Sequence, residues 1–160
     1  LLIRTLADRE RLQGSRDVHT ITTRGRLAAA YLAEGKTKDA ISGYKRVLAD
    51  RERVLGRDHP DTIAARASLA SAHQIAGRMP FAVQLSEQTC ADSARILGAD
   101  HADTLARYAG LAHLYYAVGR VGDAKALLRD TLARCERVLP YEDPVTQAVR
   151  QSLANIAGDD

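Results

Sequence analysis

The feature of this sequence that most constrains its fold is a repeat with a spacing of 42 residues. The hexapeptide at 6–11 returns unchanged at 48–53, and the segment that begins at Gly56 returns in a similar form at Gly98. The pair Leu-Ala recurs at 27–28, 69–70, 111–112 and 153–154. A period of about 20–50 residues is typical of solenoids and repeat arrays, in which neighbouring units bury a face that one unit cannot bury alone.

Each repeat contains the start and stop signals of two helices. Gly56 follows a segment whose apolar residues recur at helical spacing. A helix often ends at a residue that tolerates the left-handed conformation, as glycine does. Asp58 or His59 can cap the next helix, and Pro60 fits its first turn. Because the turns are short, consecutive helices must form antiparallel hairpins. The sequence therefore predicts an all-α fold of about eight helices, at 1–12, 18–33, 37–55, 60–76, 79–97, 102–118, 121–138 and 144–157.

Composition and charge exclude several functional classes. Basic and acidic residues alternate along the chain, as in Asp50-Arg51-Glu52-Arg53, and the net charge is only +3, so we expect a solvated mixed-charge surface and no nucleic-acid binding. No apolar run reaches membrane-spanning length, and no signal peptide is expected. Cys90 and Cys135 match different repeat positions, which argues against a disulfide and favours a cytoplasmic protein.

The organisation predicted for residues 1–160 is a single repeat domain. Its repeats span about 18–56, 60–98 and 102–140, with half-repeats at 1–14 and 144–157. The first helix would be the second half of a hairpin, and the last helix would be a first half without its partner. Since the chain also lacks an initiator Met, we expect it to be a fragment of a longer array.

The small and large residues of these hairpins resemble the tetratricopeptide repeat. The signature is carried by Leu27-Ala28, Tyr31, Gly35, Ala40 and Tyr44 and by their later equivalents. The long period and the Gly-x-Asp-His-Pro-Asp-Thr linker are more similar to the repeats of kinesin light chains and of bacterial multidomain regulators. The resemblance implies a right-handed α-solenoid, a concave face lined by the first helix of each hairpin, and partner binding as the general activity.

One departure from that subgroup concerns a pair of asparagines before Leu-Ala, whose amides can hold a peptide backbone. The matching pairs here are Gly25-Arg26, Ala67-Ser68, Ala109-Gly110 and Gln151-Ser152. An amide clamp on an extended peptide is therefore not predicted.

The resemblance places a set of small and mildly apolar positions on the concave face. A trough of this kind suits an amphipathic helix or an apolar segment of a partner. The alternative is that this face is unused and that binding occurs elsewhere. Thr22, Gly25 and Ala29 belong to the predicted row, and the candidate partner-binding residues are Leu32, Ser71, Gln74, Ile75, His113, Tyr116, Gln151 and Asn155.

Three arginines recur at the repeat spacing, at positions 24, 66 and 150, with Tyr108 in the remaining slot. They either form a basic ladder for carboxylates or phosphates, or pair with neighbouring acids along a helix face. The Asp-His pairs at 58–59 and 100–101 are interpreted as helix caps, because a full repeat separates them and one metal ion cannot join them.

No catalytic constellation, phosphate-binding loop or cofactor motif is present, so we predict neither an enzyme nor a cofactor. His73 replaces a Tyr of the packing stripe and is interpreted as a core residue, and His113 has no acid or Ser partner evident in the sequence.

Three functional hypotheses follow from these observations. The first is an interaction module that binds a peptide, a helix or a partner domain on its concave face. The second is self-association, giving a homodimer through terminal helices whose apolar surface, at Leu1, Leu2 and Ile3, lacks a cover. The third is a sensor segment of a larger nucleotide-dependent switch protein.

Overall fold

The computed structural model describes residues 1–157, with the side chain of Ala157 left out. Within that range the chain forms eight α-helices and no β-strand, so the all-α prediction is confirmed. The predicted helix limits agree with the observed ones to within one residue. The helices are α1 (Leu2–Leu12), α2 (Val18–Ala33), α3 (Thr37–Leu55), α4 (Pro60–Ile75), α5 (Met79–Leu97), α6 (Ala102–Ala117), α7 (Val121–Val138) and α8 (Pro144–Ala157).

The helices group into two compact units. The first unit is Leu1–Leu85, and the second begins at Ser86, so that the boundary falls within α5. In the first unit α2 packs on α1 and α3, and α3 also packs on α4; in the second unit α6, α7 and α8 pack on one another. The division into three repeats and two half-repeats stays a prediction.

The turn inside each hairpin is built the same way three times. At the first of them, Gly35 has a φ of 75°, which glycine adopts without a steric penalty. Its amide donates to the carbonyl of Leu32 at 3.0 Å, and the Lys36 amide donates to the carbonyl of Tyr31 at 2.8 Å. This is the Schellman pattern, which brings the residue after the glycine close to the aromatic residue one turn earlier. Gly77 and Gly119 repeat it.

A side-chain cap starts each first helix. Asp17 Oδ1 accepts from the amides of His19 and Thr20, and Asp143 Oδ1 accepts from the Val145 amide. At the two equivalent positions the cap is the Nδ1 atom of His59 and of His101, which accepts from the amide two residues ahead at 3.1 and 3.2 Å, respectively. The interpretation of these histidines as caps is confirmed, with His59 rather than Asp58 in the capping role.

The core of the first unit is made of small residues on facing helices with larger ones between them. Ala28 of α2 and Ala40 of α3 are fully buried, and Tyr44 and Leu69 pack in the same cluster. Gly43 of α3 lies so close to α2 that an added Cβ would be 2.8 Å from the Ala28 Cβ. The hairpin therefore depends on a glycine in the middle of a helix, which the sequence pattern did not single out.

The core of the second unit follows the same plan with bulkier aliphatic residues. Leu105 and Ala112 of α6 pack with Ala124 and Leu128 of α7, and Val149 of α8 completes the cluster. All five are buried, with 0% of their surface exposed. The helix α8 thus covers the α6–α7 hairpin, as the stacking argument requires.

Candidate functional site

A depression of about 280 Å³ opens between α2 and α4, which are the first helices of consecutive hairpins. Thr22, Gly25 and Ala29 of α2 form one wall, and Ala65 and Ser68 of α4 form the other. The first three are positions of the row predicted for the concave face. Small side chains on both walls leave room for a side chain of a partner.

The floor and rim of this depression come from α3 and α2. Tyr44 and Val47 are almost fully buried and form an apolar floor. Burial raises the pKa of the Tyr44 hydroxyl above its ordinary value of 10.0, so this group stays a neutral hydrogen-bond donor. Arg26 and Arg51 add positive charge at the rim. The depression is therefore apolar below and basic above.

The predicted binding residues of the first unit lie near this depression in sequence but do not line it. Ser71, Gln74 and Ile75 are exposed on α4, and 62% of the Ile75 surface is accessible although it is a large aliphatic residue. Leu32 is half-buried, because it packs against the cluster around Ala28. It therefore serves the core at least as much as the surface.

The predicted binding residues of the second unit are all exposed. His113 and Tyr116 lie on α6, and Gln151 and Asn155 lie on α8. The Gln151 amide donates to Asn155 Oδ1 at 2.7 Å, so the two polar heads form a pair along α8.

The second unit also contains a contact that the sequence did not reveal. His113 Nε2 lies 2.8 Å from Ser152 Oγ, which joins α6 to α8, and the Ser152 hydroxyl donates to the carbonyl of Ala148 at 2.8 Å. The expectation that His113 has no Ser partner is wrong, because the two residues are 39 positions apart and only packing of α8 on α6 brings them together. Because the Ser152 hydroxyl donates to the Ala148 carbonyl, its oxygen is available to accept from His113 Nε2 in the tautomer that carries the proton on that nitrogen.

The recurring arginines pair with acids of the preceding helix. The distance from a guanidinium nitrogen to a carboxylate oxygen is 2.7 Å between Arg24 and Glu10, 3.1 Å between Arg66 and Glu52, and 2.8 Å between Arg150 and Glu136. Arg24 also forms a close ion pair with Asp50. Arg24 and Arg66 are buried, so their charges serve internal pairing, and the hypothesis of a ladder for an external anion is wrong.

A second polar cluster surrounds Tyr115, in the last turn of α6. The Tyr115 hydroxyl donates to Glu87 Oε1 at 2.7 Å, and the Arg120 guanidinium lies 4.0 Å from the centre of the Tyr115 ring. Arg120 also pairs with Asp123 at 2.6 Å. Burial, followed by the hydrogen bond and charge of Glu87, raises the pKa of Tyr115 to about 12. Nothing in the sequence distinguished this cluster, because its members come from three helices.

The two cysteines are free and buried. Burial raises the pKa of the Cys90 thiol to about 12 and also raises that of Cys135, so both are inert at neutral pH. Across residues 1–157 no three side chains of the metal-ligating kinds come together, and no helix of that range is long and apolar enough to cross a membrane.

The residues of the depression that sequence reasoning missed are Arg26, Tyr44, Val47, Arg51, Ala65 and Ser68. Ser68 lies 42 positions after Arg26, so the repeat itself relates the two edges. The prediction for α4 used the positions that lie 42 residues after those predicted on α2. These positions form the row next to the one that lines the depression. Which edge of α4 faces α2 depends on the packing of both helices on α3.

Comparison with known proteins agrees with this architecture. The family model described as the tetratricopeptide repeat matches residues 19–93 and 69–137. A crystal structure of nearly identical TPR-like repeats from a putative kinesin light chain of Podosopora anserina superposes with a TM-score of 0.87 at 30% identity, over 98% of this chain and 74% of that one. A single-site variant of the same repeat protein gives the same values.

A more distant structure, BtubC (BKLC) from P. vanneervenii, has a TM-score of 0.76 at 19% identity, over 88% of this chain and 57% of that one, and shows the fold alone. No curated protein sequence matches this chain significantly. The helical-repeat fold predicted from the 42-residue spacing is confirmed by these likenesses.

Proposed function

Because this chain belongs to the tetratricopeptide repeat family, whose members are generally protein–protein interaction scaffolds, we propose that it binds a segment of a partner protein on the face formed by its first helices. The observation that carries the proposal is the depression between α2 and α4, with its apolar floor of Tyr44 and Val47. An amphipathic helix of the partner would place one apolar side chain there.

The surroundings of the depression support this mode of binding. Ile75 is a large, exposed aliphatic side chain on α4. Covering an apolar side chain of this kind with a partner removes it from water and so stabilises the complex. Arg26 and Arg51 at the rim would pair with acidic residues on the polar side of the bound helix. Shape and apolar contact would provide affinity, and the rim charges would fix orientation.

The experiment compares two single substitutions to Glu at exposed alanines. Ala29→Glu puts a carboxylate in the wall of the depression, whereas Ala49→Glu puts the same charge on the exposed side of α3. Both variants are expected to fold as the parent does, which circular dichroism checks. Affinity capture from the native host with quantitative mass spectrometry then compares the proteins retained.

We expect a partner that is retained by the parent and by Ala49→Glu and lost by Ala29→Glu. Titration of the identified segment by calorimetry should show at least about a tenfold loss of affinity for the Ala29 variant. Equal retention of every protein by both variants would show that this face is not the binding site.

Self-association is a second candidate function, and one observation favours it. Leu1, Leu2 and Ile3 form a depression of about 300 Å³ with Leu27 and Tyr31. Its lining is mostly apolar but includes Glu34 and Lys36, and 63% of the Ile3 surface is exposed. A second copy would cover this surface. Light scattering across a range of concentrations should then show a dimer that Ile3→Glu abolishes and that Val54→Glu, at an exposed position of α3, leaves intact; a monomer at every concentration contradicts the idea.

The third hypothesis, a sensor segment of a nucleotide-dependent switch, stays a prediction, since a nucleotide-binding domain would lie outside this sequence. A cytoplasmic location is also proposed, because the two unpaired thiols suit a reducing compartment.

A further inference from the structure

A depression of about 240 Å³ in the first unit is lined by three cations and no acid. Lys38, Ser42 and Lys45 lie along one side of α3 together with Ile41, and Arg78 joins them from the turn after α4. Within residues 1–157 none of the three cationic side chains forms an ion pair or a side-chain hydrogen bond. Three unneutralised positive charges around one depression repel one another, and the electrostatic cost falls when an anion lies between them.

The equivalent arginine of the next hairpin shows what this depression lacks. Arg120 lies 42 positions after Arg78 and has two carboxylate partners, Glu87 at 3.4 Å and Asp123 at 2.6 Å. The residues 42 positions before those two acids are Lys45 and Phe81. Both carboxylates that neutralise Arg120 are therefore replaced beside Arg78, one of them by a further positive charge.

The equivalent cation of the first hairpin also has an acidic partner, supplied from a different position. Lys36 occupies the position equivalent to Arg78, and its ammonium group lies 2.6 Å from Glu34. The residue equivalent to Glu34 in the second hairpin is Ala76. Arg78 is thus the one member of these three equivalent cations that has no acid of the described chain beside it.

His73 lies close to two of these cations. It is 3% exposed, it stacks on the Phe81 ring at a centroid distance of 5.2 Å, and its Nδ1 has no hydrogen-bond partner. Burial, followed by the charges of Lys45 and Arg78, lowers the pKa of His73 below its ordinary value of 6.5. Both cations are therefore near enough to His73 to act on it, and no nearby acid cancels their effect.

We propose that the depression formed by Lys38, Ser42, Lys45 and Arg78 binds an acidic side chain of a partner protein, which takes the role that Glu87 has beside Arg120. A guanidinium can hold a carboxylate through two parallel hydrogen bonds, the ammonium groups add charge, and the Ser42 hydroxyl adds a donor. This site lies on α3 and on the turn after α4, so it is separate from the depression between α2 and α4 and goes beyond the proposed function.

The test uses the 160-residue chain and a short synthetic peptide that contains two Glu residues, with the Gln version of the same peptide as the reference. Lys45→Glu supplies the missing carboxylate from within the chain and should abolish binding. Arg129→Glu is the matched control, because Arg129 is exposed, occupies the equivalent position of α7 and changes the net charge by the same amount. Affinities are measured by calorimetry at low and at physiological salt.

We expect the Glu peptide to bind at least about tenfold more tightly than the Gln peptide, Lys45→Glu to remove that difference, and Arg129→Glu to change it by less than about twofold. The pKa of His73, measured by NMR, should rise when the Glu peptide binds, because the bound carboxylate offsets Lys45 and Arg78. Equal weakening by the two substitutions, or an unchanged His73 titration, would reduce the effect to general attraction by a basic protein and overturn the proposal.

A phosphoserine version of the peptide separates the two sources of an oxyanion. If it binds in a manner that depends on Lys45 while the Glu peptide does not, the assignment to a carboxylate is wrong. Because Ala29→Glu changes a different surface, its effect on the proposed function is independent of this outcome.

Discussion

At the scale of single residues, the clearest regularity is that an arginine and a glutamate occur together. Arg24, Arg66 and Arg150 each pair with a glutamate 14 residues earlier in the chain. In the remaining repeat both members are absent, because the equivalent positions hold Tyr108 and Ala94. A buried guanidinium without its acid would be costly, so the two positions change together.

The contribution of this pair should depend on burial. Arg24→Ala removes a guanidinium whose side chain is 5% exposed and leaves Asp50 without its partner, while Glu10 keeps Arg46 at 3.6 Å, so we expect a loss of about 2–3 kcal/mol in the free energy of unfolding. The side chain of Arg150 is 27% exposed, and Arg150→Ala should cost about 1 kcal/mol or less. Urea unfolding measures both values; equal losses would contradict the dependence on burial.

His73 should give the folded protein a pH dependence. Its pKa is lowered in the folded state, so the unfolded chain takes up a proton first as the pH falls. The stabilisation is complete above pH 6.5, the ordinary value, and decreases below it until the pH reaches the pKa of the folded state. His73→Phe should remove this part of the dependence.

The measurement is the free energy of unfolding of parent and variant in urea at several pH values on both sides of 6.5. The difference between the two proteins cancels the contributions of the other histidines and of the carboxylates. A difference that does not change with pH would contradict the assignment. Lys45→Gln removes one of the charges that lower the pKa of His73. It should therefore narrow the pH range over which stability is lost, which lies between the pKa of His73 in the folded state and its ordinary value.

At the scale of helices and hairpins, the small residues decide how closely two helices approach. Ala40, Ala82 and Ala124 are fully buried at equivalent positions, as the pattern of small residues predicts. Gly43 brings α3 still closer to α2 than an alanine would allow. The equivalent positions hold Leu85 and Leu127, so this approach belongs to the first hairpin only.

Two glycine-to-alanine substitutions inside helices should therefore have opposite effects. Gly43→Ala places a Cβ 2.8 Å from the Ala28 Cβ and should destabilise the protein by about 1–3 kcal/mol. Gly110→Ala meets nothing within 4 Å and should stabilise α6 by about 0.5–1 kcal/mol. Thermal unfolding followed by circular dichroism gives both values, and a gain of stability for Gly43→Ala would show that the hairpin can widen without cost.

At the scale of the whole molecule, each compact unit has its own apolar core, one around Ala28 and Tyr44 and one around Leu105 and Leu128. In a repeat protein each element is stabilised mainly by its neighbours, so parts of the chain can open without complete unfolding. Both cysteines lie in the unit that begins at Ser86. Their reactivity therefore reports the opening of that unit.

We expect Cys90 and Cys135 to react with iodoacetamide at pH 8 at least about a hundredfold more slowly in the folded protein than in urea. Both thiols are buried, with 4% and 0% of their surface exposed, respectively. Intact-protein mass spectrometry counts the labels, and Ser71→Cys, at an exposed position of α4, is the accessible control. Rapid labelling of the buried pair at the rate of that control would contradict the buried arrangement.

The sequence by itself determined the helices, their limits and their pairing into hairpins. Those features depend on residues close together in the chain: the glycine with φ 75° at position 35, the cap at His59 and the alternation of small and large side chains. A period of 42 residues also determined that the hairpins stack, because an amphipathic hairpin cannot bury its own apolar face.

Only the tertiary structure decided which surfaces are open and which charges are neutralised. The depression between α2 and α4 depends on how both helices pack on α3, and the contact of His113 with Ser152 depends on the docking of α8. The unpaired state of Arg78 follows from Lys45, 33 positions earlier in the chain. These are relations between distant residues, and their energies depend on distance and burial, which the repeat pattern does not contain.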